Sequence, residues 1–458
     1  MTNFLNWPNW DVTSAVEHGW GTIIVEATYL PTFRVCPDCS AGGPLHKHGK
    51  KVLEFTDSPV RGQPVKIRVE VQRYLCQNCR SAPLQQLPDM DPSHRMTRRC
   101  STYIRQQALR KTFTDVAEET GVSEKTVRAI AREYRDDPFF PPLPTYAPLI
   151  LGIDEVRVAG KLRAIFTDLA NYHILDLIES HRKVDVVRWL SSLEFPESLF
   201  VACMDGWKPY RAAIRAVFGQ NVHIVSDKFH ILRTANHCMH MVQKRIVESE
   251  KAVEGRKTRR RQKRVLLKRY DNLNEDEKAK LEKEIRDTPE LKAAYLAKEA
   301  FFAIYAQKTR PAAEKALAEW EAGLTPALRS VFAALLKTID NWRSEILAYW
   351  DHRDVTNAFT EAMNGQIKRI AHSGRGYSFS ELRTRILLGY TPRPRKGAYI
   401  CDKCHRRQQG SLQAEYPMPL ADRATAIGAK HMRFCQKCRK KVLKEWAENK
   451  NLELLKVR

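Results

Sequence analysis

The sequence predicts a multidomain α+β protein, in which an α/β domain with an all-helical insertion lies between two cysteine-bearing modules. Short apolar runs separated by turn residues fill 148–230, which is typical of a sheet domain. Residues 231–350 are instead rich in Lys, Arg, Glu and Ala and have helical character. Eight of the 11 cysteines form Cys-x-x-Cys pairs near the two ends of the chain. A chain of 458 residues is long enough for several such domains.

The chain is strongly basic, with 77 Lys and Arg against 53 Asp and Glu and a formal net charge of +24. A polyanionic partner would bind this charge by release of condensed counterions, but a merely basic soluble protein has the same composition. No run approaches the roughly 20 apolar residues of a transmembrane helix, and the N-terminus lacks the basic-then-apolar pattern of a signal peptide. We therefore expect a soluble, intracellular protein.

Residues 1–95 are predicted to form a zinc-binding β module. Its four ligand candidates make two Cys-x-x-Cys pairs: Cys36 with Cys39, and Cys76 with Cys79. In a reducing compartment this spacing indicates a tetrahedral four-thiolate zinc site; the alternative is two pairs of incidental thiols. Apolar residues alternate over 65–74, which predicts that a β-ribbon joins the two pairs. Three unpaired cysteines are predicted to be core residues: Cys100, Cys203 and Cys238.

Residues 96–136 are predicted to form a helix-turn-helix. Gly121 provides the turn between two helical patterns, and Ser123 is placed to cap the second helix. An ordinary helical hairpin has the same pattern, but the basic residues on the second helix favour a DNA-reading role. The candidates to contact phosphates or base edges in a major groove are Lys125, Thr126, Arg128 and Arg132. A proline-rich linker, 137–147, follows.

The order of elements in 148–230 predicts the ribonuclease H fold. Three strands follow one another without an intervening helix and so form an antiparallel meander. A helix, a fourth strand, a second helix and a fifth strand complete the pattern, and in this fold the fourth strand lies beside the first. The predicted strands are 150–157, 162–168, 172–179, 198–204 and 222–226, and the predicted helices are 184–193 and 208–218.

Three acidic residues can converge on this sheet. Asp154 lies on the first strand, Asp205 closes the fourth, and Glu361 lies on a later helix, 356–370. Together they can hold a pair of magnesium ions and support in-line displacement at a phosphodiester. The same polar face of that helix carries Asn357, Asn364 and Lys368.

Asp227 competes with Asp205 for the place of the second acid, because it ends the fifth predicted strand. We prefer Asp205, because the fourth strand adjoins the first and would bring Asp205 beside Asp154. Asp227 would lie one strand further out. Glu155 and His230 have either a supporting role in the site or a purely structural one.

The all-helical insertion, 231–350, contains a basic block at 256–264 that is either a solvated face or a contact to DNA phosphates. Three tryptophans are predicted to anchor its core: Trp320, Trp342 and Trp350. Residues 351–390 then return to the sheet domain as its second part. Residues 391–458 are predicted to form a basic linker and a second zinc module. Its thiolate candidates are Cys401, Cys404, Cys435 and Cys438, with His405 and His431 as alternative ligands.

In this order of motifs the chain resembles the bacterial insertion-sequence transposases of the ISL-three type. The resemblance covers roughly 20–390 and rests on several motifs together. Two of these motifs are the first zinc pairs and the helix-turn-helix. The other motifs, in chain order, are Asp57-Ser-Pro-Val-Arg-Gly62, Gly152-Ile-Asp-Glu155, Asp205-Gly-Trp-Lys-Pro-Tyr210, Asp227-Lys-Phe-His-Ile231, Thr356-Asn357 with Glu361, Asn364 and Lys368, and Gly376-Tyr-Ser-Phe379. The C-terminal zinc module departs from the pattern of typical members.

The resemblance implies a DDE-type recombinase with a ribonuclease H-like catalytic domain, and it assigns the triad to Asp154, Asp205 and Glu361. It implies two Mg2+ ions at the triad and one or two structural Zn2+ ions. It also implies a homodimer or higher oligomer on double-stranded DNA, which pairs the terminal inverted repeats of an element and joins them to target DNA. The expected setting is the bacterial cytoplasm, at the nucleoid. Two alternatives stay open: a domesticated, non-catalytic DNA-binding regulator, and a nuclease of the same fold without strand transfer.

Overall fold

A computed structural model describes residues 7–135, 146–249 and 264–389, together with four short strands near the C-terminus. Within these ranges it leaves out residues 20, 33–34, 41, 43–44, 287, 354 and 375. The basic block, apart from its last residue, and most of the proline-rich linker lie outside the described residues. The chain forms two compact units. They comprise Met1–Pro142 with Arg369–Thr391, and Leu143–Lys368 with Pro392–Arg458.

A four-stranded sheet forms the beginning of the first unit. Its strands are β1 (Trp10–His18), β2 (Thr22–Tyr29), β3 (Leu45–Val60) and β4 (Gln63–Cys76), in the order β1-β2-β4-β3. The long strands β3 and β4 pair antiparallel and make the predicted ribbon. The alternating residues of β4 are fully buried, because one face of the ribbon supplies the core of this sheet: Val65, Ile67, Val69 and Val71.

Three helices follow: α1 (Arg98–Gln107), α2 (Phe113–Thr120) and α3 (Glu124–Arg135). Gly121 ends α2 in the left-handed region, with φ of 67°, a conformation that glycine adopts without strain. The Ser123 hydroxyl accepts from the Thr126 amide at 3.1 Å and so caps α3. These contacts confirm the predicted helix-turn-helix.

A five-stranded mixed sheet is the centre of the second unit. Its strands are β5 (Ile150–Val158), β6 (Lys161–Asp168), β7 (His173–Leu177), β8 (Val201–Met204) and β9 (His223–Ser226), in the order β7-β6-β5-β8-β9. The first three pair antiparallel, whereas β8 and β9 run parallel to β5. The fourth strand thus lies beside the first, as predicted. Helix α4 (Lys183–Ser191) lies between β7 and β8 in the chain, and helix α5 (Lys208–Phe218) lies between β8 and β9.

A helical segment follows β9 directly. The described helices are α6 (Lys228–Ser249), α7 (Glu275–Arg286), α8 (Pro289–Ile304), α9 (Arg310–Gly323), α10 (Pro326–Val331) and α11 (Ala333–Asp351). The three predicted tryptophan anchors are buried, but they share one core with the sheet residues and do not form a separate core of the insertion. The reason is that α11 packs directly on β9. Within the described residues, no helix combines the length and the apolar character needed to cross a membrane.

The chain returns through α12 (Ala358–Ser373), α13 (Phe379–Thr384) and a π-helical turn, Arg385–Gly389. The predicted second part of the sheet domain, 351–390, is divided between the two units after residue 368.

The division has a physical cause in the helix-turn-helix. The ring of Tyr377 lies 4.9 Å from that of Phe113, and Arg385 donates to the carbonyls of Ala108 and Lys111 after the end of α1. The segment after α12 therefore packs as part of the first unit.

Four short strands lie further along the chain and form two antiparallel pairs. They are Ala398–Ile400 with Arg407–Gln409, and Glu415–Pro417 with His431–Arg433. The cysteines of the second zinc module lie outside the described residues, so that module stays a prediction: Cys401, Cys404, Cys435 and Cys438.

Candidate active site and metal centre

Four cysteines of the first unit converge at one end of the β3–β4 ribbon. The sulfurs of Cys36 and Cys79 are 3.8 Å apart, as are those of Cys39 and Cys76, and all four lie within 4.8 Å of one another. Tetrahedral zinc with Zn–S bonds of about 2.3 Å requires sulfurs about 3.8 Å apart. The residues present therefore fit a four-thiolate zinc site.

Hydrogen bonds favour the thiolate forms of two of these cysteines, Cys36 and Cys79. Burial raises the pKa of Cys36, but the backbone amides of Cys39 and Asp38 outweigh burial and lower the pKa to about 6. The Ser81 hydroxyl, 3.0 Å from the Cys79 sulfur, lowers the pKa of Cys79. Thiolate is the form that binds zinc, so these contacts prepare the site for the ion.

In the second unit, three aspartates lie at matching positions on neighbouring parallel strands. Ile153 of β5 pairs with Met204 of β8, and Met204 pairs with Ser226 of β9. The residues that directly follow these three are Asp154, Asp205 and Asp227. Because adjacent strands are about 4.8 Å apart, the three aspartates form a row across the sheet. We call this the acidic row.

Glu361 approaches the acidic row from helix α12, and the two asparagines of the same polar face pack against β5. The side-chain amide of Asn364 donates to Asp154 Oδ2 at 2.6 Å, and that of Asn357 donates to the carbonyl of Ile153 at 3.2 Å. Both asparagines are buried. A polar helix face usually meets solvent, but here it meets the strand that carries the first aspartate.

Asp205 and Glu361 lie close enough to Asp154 and Asp227 to contribute to a raised pKa of those two aspartates. Burial raises the pKa of Asp154 to about 7, with further contributions from Asp205 and Glu361. Burial and the same two carboxylates raise the pKa of Asp227 to about 6. Cations stabilise acids that repel one another in this way, and carboxylate oxygens are the hard ligands that magnesium prefers. The donor set therefore fits magnesium.

The carboxylate oxygens are more widely spaced than the zinc-site sulfurs. Within the described part of the chain, only the four cysteines form a group of three or more candidate ligands whose ligand atoms all lie within 4.8 Å of one another; the acids do not. Two metal ions that act together at a phosphodiester lie about 3.5–4 Å apart. A pair of ions at that separation does not require every acid oxygen to lie within the coordination shell of one ion.

Two basic groups from the start of α6 face these acids. His230 Nδ1 lies 3.1 Å from Asp205 Oδ2, which raises the pKa of His230. Arg233 Nη2 donates to Glu361 Oε1 at 3.1 Å. His230 therefore contacts the site, and Arg233 is a site residue that sequence reasoning missed. The available signal was the helical spacing of Asp227, His230 and Arg233 directly after a strand.

Glu155 supports the first aspartate through its backbone. Its N–H donates to Asp154 Oδ1 at 2.7 Å, and its carbonyl accepts from Asn364 at 3.4 Å. Burial, followed by the charge of Glu155, raises the pKa of Tyr210. The hydrogen bonds that Glu155 makes to the site thus come from its backbone and not from its carboxylate.

Gly152 allows α12 to approach β5 closely. A Cβ atom at Gly152 would overlap the hydroxyls of Thr167 and Thr360 and would lie 3.0 Å from Asn357 Oδ1. The two threonine hydroxyls hydrogen-bond to each other at 2.7 Å, so neither is free to move away without loss. The absence of a side chain at Gly152 thus determines how near Glu361 comes to the acidic row.

We expect Gly152→Ala to lower the stability of the protein by about 1–3 kcal/mol, because the added methyl group overpacks the interface between α12 and β5. Gly365→Ala on α12 is the control, since a Cβ at that position meets nothing within 4 Å. It should be neutral or stabilising by up to about 1 kcal/mol. Thermal unfolding of both variants makes the comparison, and equal melting temperatures would contradict the proposed constraint.

The arginines of α3 that were predicted to reach DNA contact the returning segment. Arg128 Nη1 lies 3.2 Å from both carboxylate oxygens of Glu381, and Arg132 Nε donates to Glu381 Oε1 at 3.1 Å. Lys125 is exposed and Thr126 is partly exposed in the first turn of α3. The four candidates thus fall into two groups: Arg128 and Arg132 bond to Glu381, although Arg132 stays exposed, whereas Lys125 and Thr126 make no such bond.

The Glu381 carboxylate should make the first unit sensitive to acid. Burial opposes its charge, but hydrogen bonds from Ser378 and the charges of Arg128 and Arg132 outweigh burial and lower the pKa of Glu381. A carboxyl whose pKa is lowered by folding stabilises the fold above its unfolded pKa of about 4.3, and the contribution is lost as pH falls through the lower, folded pKa.

We expect Glu381→Gln to lower stability at neutral pH by roughly 1.5–3 kcal/mol, because charge-assisted hydrogen bonds are lost. It should also remove part of the loss of stability on acidification. Thermal unfolding as a function of pH measures both effects. Glu118 on α2 is exposed, so Glu118→Gln is the control that should change neither; an acid response identical in the Glu381→Gln protein and the unaltered one would count against this role.

Comparisons with known families cover both units. Residues 32–79 match the zinc-finger of transposase IS204/IS1001/IS1096/IS1165, and residues 85–135 match the helix-turn-helix domain of transposase family ISL3. Residues 151–386, more than half of the chain, match the DDE transposase model of the ISL3 type. The chain belongs to the ISL3 transposase family. No curated protein matches it.

Membership of the ISL3 family confirms the resemblance drawn from the sequence motifs. The zinc-finger match contains the four cysteines of the ribbon, and the helix-turn-helix match contains α1, α2 and α3. The transposase match contains the acidic row and Glu361. Both the helix-turn-helix and the transposase domain indicate DNA as the partner of this ISL3 family member.

Proposed function

We propose that this ISL3 family member is an insertion-sequence transposase that binds terminal inverted repeats and catalyses magnesium-dependent DNA cleavage and strand transfer. The observation that carries the proposal is the approach of Asp154, Asp205 and Glu361 to one another on a sheet of order β7-β6-β5-β8-β9. This strand order, with three antiparallel strands followed by two parallel ones, is the one expected for a ribonuclease H-like domain. We assign these three acids as the catalytic triad.

The triad carboxylates would hold two divalent ions, which when bound activate the attacking oxygen and stabilise the leaving oxygen. The protein residues around the triad orient it. Asn364 donates to Asp154 Oδ2 and fixes that carboxylate toward α12. The imidazole of His230 on α6 lies 3.1 Å from Asp205 Oδ2 and would orient that carboxylate. These contacts keep the acids in place before DNA arrives, so little reorganisation is needed during the reaction.

Arg233 lies on the solvent-exposed side of this site, unlike the buried Asn364. Its side chain is 66% exposed, although it donates to Glu361. An exposed arginine beside a catalytic carboxylate can turn from it to a DNA phosphate, which it binds by bidentate, charge-assisted hydrogen bonds. We assign Arg233 to the DNA backbone next to the bond that is cleaved.

Recognition of the element ends is assigned to the first unit. Lys125 and Thr126 lie in the first turn of α3, and in a helix-turn-helix this end of the second helix reads base edges. Arg128 and Arg132 would support this helix through Glu381. Zinc bound at the ribbon cysteines would hold the preceding module in shape. A homodimer would pair two element ends in the bacterial cytoplasm.

The proposal is tested by incubation of the purified full-length protein with magnesium and DNA that carries candidate element ends, followed by sequencing of the products. Cleavage at the ends and joining to target DNA are expected. Cleavage without joined products would indicate a nuclease of the same fold. Specific binding without any magnesium-dependent cleavage would indicate a non-catalytic regulator.

A further inference from the structure

We infer that Asp227 is a fourth metal-binding carboxylate, which holds a divalent cation together with Asp205. The inference rests on the proposed function, because it concerns the same acidic row, and it goes beyond the triad of Asp154, Asp205 and Glu361. It assigns a ligand role to a residue that the triad leaves without one.

Asp227 is buried without a charge partner among the described residues. It is 1% exposed, and neither of its carboxylate oxygens makes a hydrogen bond of normal geometry there, although the nearby backbone amides of Phe229 and Asn357 lower its pKa in part. A buried charge without a partner is strongly unfavourable, and native proteins compensate such groups with hydrogen bonds, ion pairs or metals. An uncompensated carboxylate at the edge of an acidic site therefore indicates a missing cation.

Other buried aspartates of the same sheet show what compensation looks like. Asp168 Oδ1 accepts from the amides of Ala170 and Asn171, each at 2.9 Å. Asp176 Oδ2 accepts from the Trp189 indole at 2.8 Å. Both are structural carboxylates satisfied by their surroundings, so the lack of partners at Asp227 is a property of its position and not of the sheet.

The register of the sheet puts Asp227 next to Asp205. The Asp227 amide donates to the carbonyl of Met204 at 3.0 Å, which continues the pairing of β8 and β9 by one residue. Asp205 is the central member of the acidic row, with Asp154 on one side and Asp227 on the other. Since the charges of Asp205 and Glu361 both raise the pKa of Asp227, the buried carboxylate lies within electrostatic reach of the other acids.

The basic side chains near Asp227 are directed elsewhere. Lys228 Nζ lies 3.1 Å from the Tyr349 hydroxyl, His230 faces Asp205, and Arg233 donates to Glu361. Among the described residues none forms an ion pair with Asp227, and the backbone amides of Phe229 and Asn357 supply no full positive charge, so we assign the compensating charge to a bound cation. For a site lined by carboxylate oxygens the fitting cation is a hard divalent ion such as Mg2+ or Mn2+.

The test is a calorimetric titration of the zinc-loaded, full-length protein with Mn2+. We expect Asp227→Asn to weaken Mn2+ binding by at least about 10-fold, as found for changes in a metal's coordination environment. Without added Mn2+ the same variant should be at least as stable as the unaltered protein, because a repelling buried charge is removed. Asp176→Asn is the matched control: it should keep Mn2+ affinity but lose stability, since Asp176 bonds to Trp189.

The variants also separate this inference from the proposed function. If Asp154→Asn and Asp205→Asn lose Mn2+ binding while Asp227→Asn keeps the original affinity, the inference fails and the proposed function stands. If none of these three substitutions changes Mn2+ binding, the metal site itself is absent and the proposed function fails. A large loss of metal-free stability in Asp227→Asn would also overturn the inference, because it would show that the carboxylate is structural.

Discussion

Asp205→Asn should reduce magnesium-dependent cleavage by several orders of magnitude while DNA binding persists. The substitution keeps the size of the side chain and removes a charge that would help to hold the metal ions, so the loss falls on the chemical step and not on the fold. The measurement is a cleavage assay on element ends beside a binding assay on the same DNA.

Asp227→Asn is the comparison that decides which aspartate is the second acid of the triad. It should leave measurable activity at high magnesium concentration, because Asp154, Asp205 and Glu361 would still hold the ions. The reversed outcome, with Asp205→Asn active and Asp227→Asn inactive, would assign the triad to Asp154, Asp227 and Glu361. Loss of DNA binding in Asp205→Asn would show that the residue acts in the fold.

Cys36→Ser or Cys76→Ser should remove zinc from the ribbon and reduce specific binding of element ends at the same time. Zinc binding and folding are one equilibrium in small modules of this kind, and the binding free energy is on the order of 10–16 kcal/mol. Metal analysis and DNA binding of the purified variants measure the two effects together.

Cys238→Ala is the control for the zinc prediction, because Cys238 is a buried thiol outside the ribbon and its loss should leave the zinc content unchanged. An unaltered zinc content in the Cys36→Ser protein would rule out the ribbon site. For the second module, Cys401→Ser and Cys435→Ser should also lower the zinc content, with a smaller effect on DNA binding.

The features predictable from the sequence are those that local patterns encode. Alternating apolar residues over 65–74 identified the ribbon strand, and Gly121 with Ser123 identified the turn and the cap between two helices. The succession of strands and helices in 148–230 was sufficient to infer that β8 lies beside β5, and hence that Asp205 adjoins Asp154.

The features that sequence reasoning missed depend on contacts between distant residues. Glu381 is 253 positions from Arg128, and no periodicity connects a short helix near residue 380 with the helix-turn-helix. The polar face of the helix at 356–370 was predicted to face the metal site, but the sequence did not show that Gly152 leaves room for Asn357 and Thr360 to pack there. The tryptophans of the insertion were correctly taken as buried, but the core that they share with the sheet was not foreseen.

The course of the helix that carries Glu361 limits how DNA-binding domains can be exchanged between transposases of this family. Helix α12 begins in one unit and ends in the other, and the segment after it supplies Tyr377, Glu381 and Arg385 to the helix-turn-helix. A chimera that receives a foreign end-binding module as a single N-terminal graft would therefore leave Phe113 uncovered and Arg128 without its carboxylate. Retargeting this family member would require two grafts from the same donor, one ending near residue 142 and one spanning 369–391.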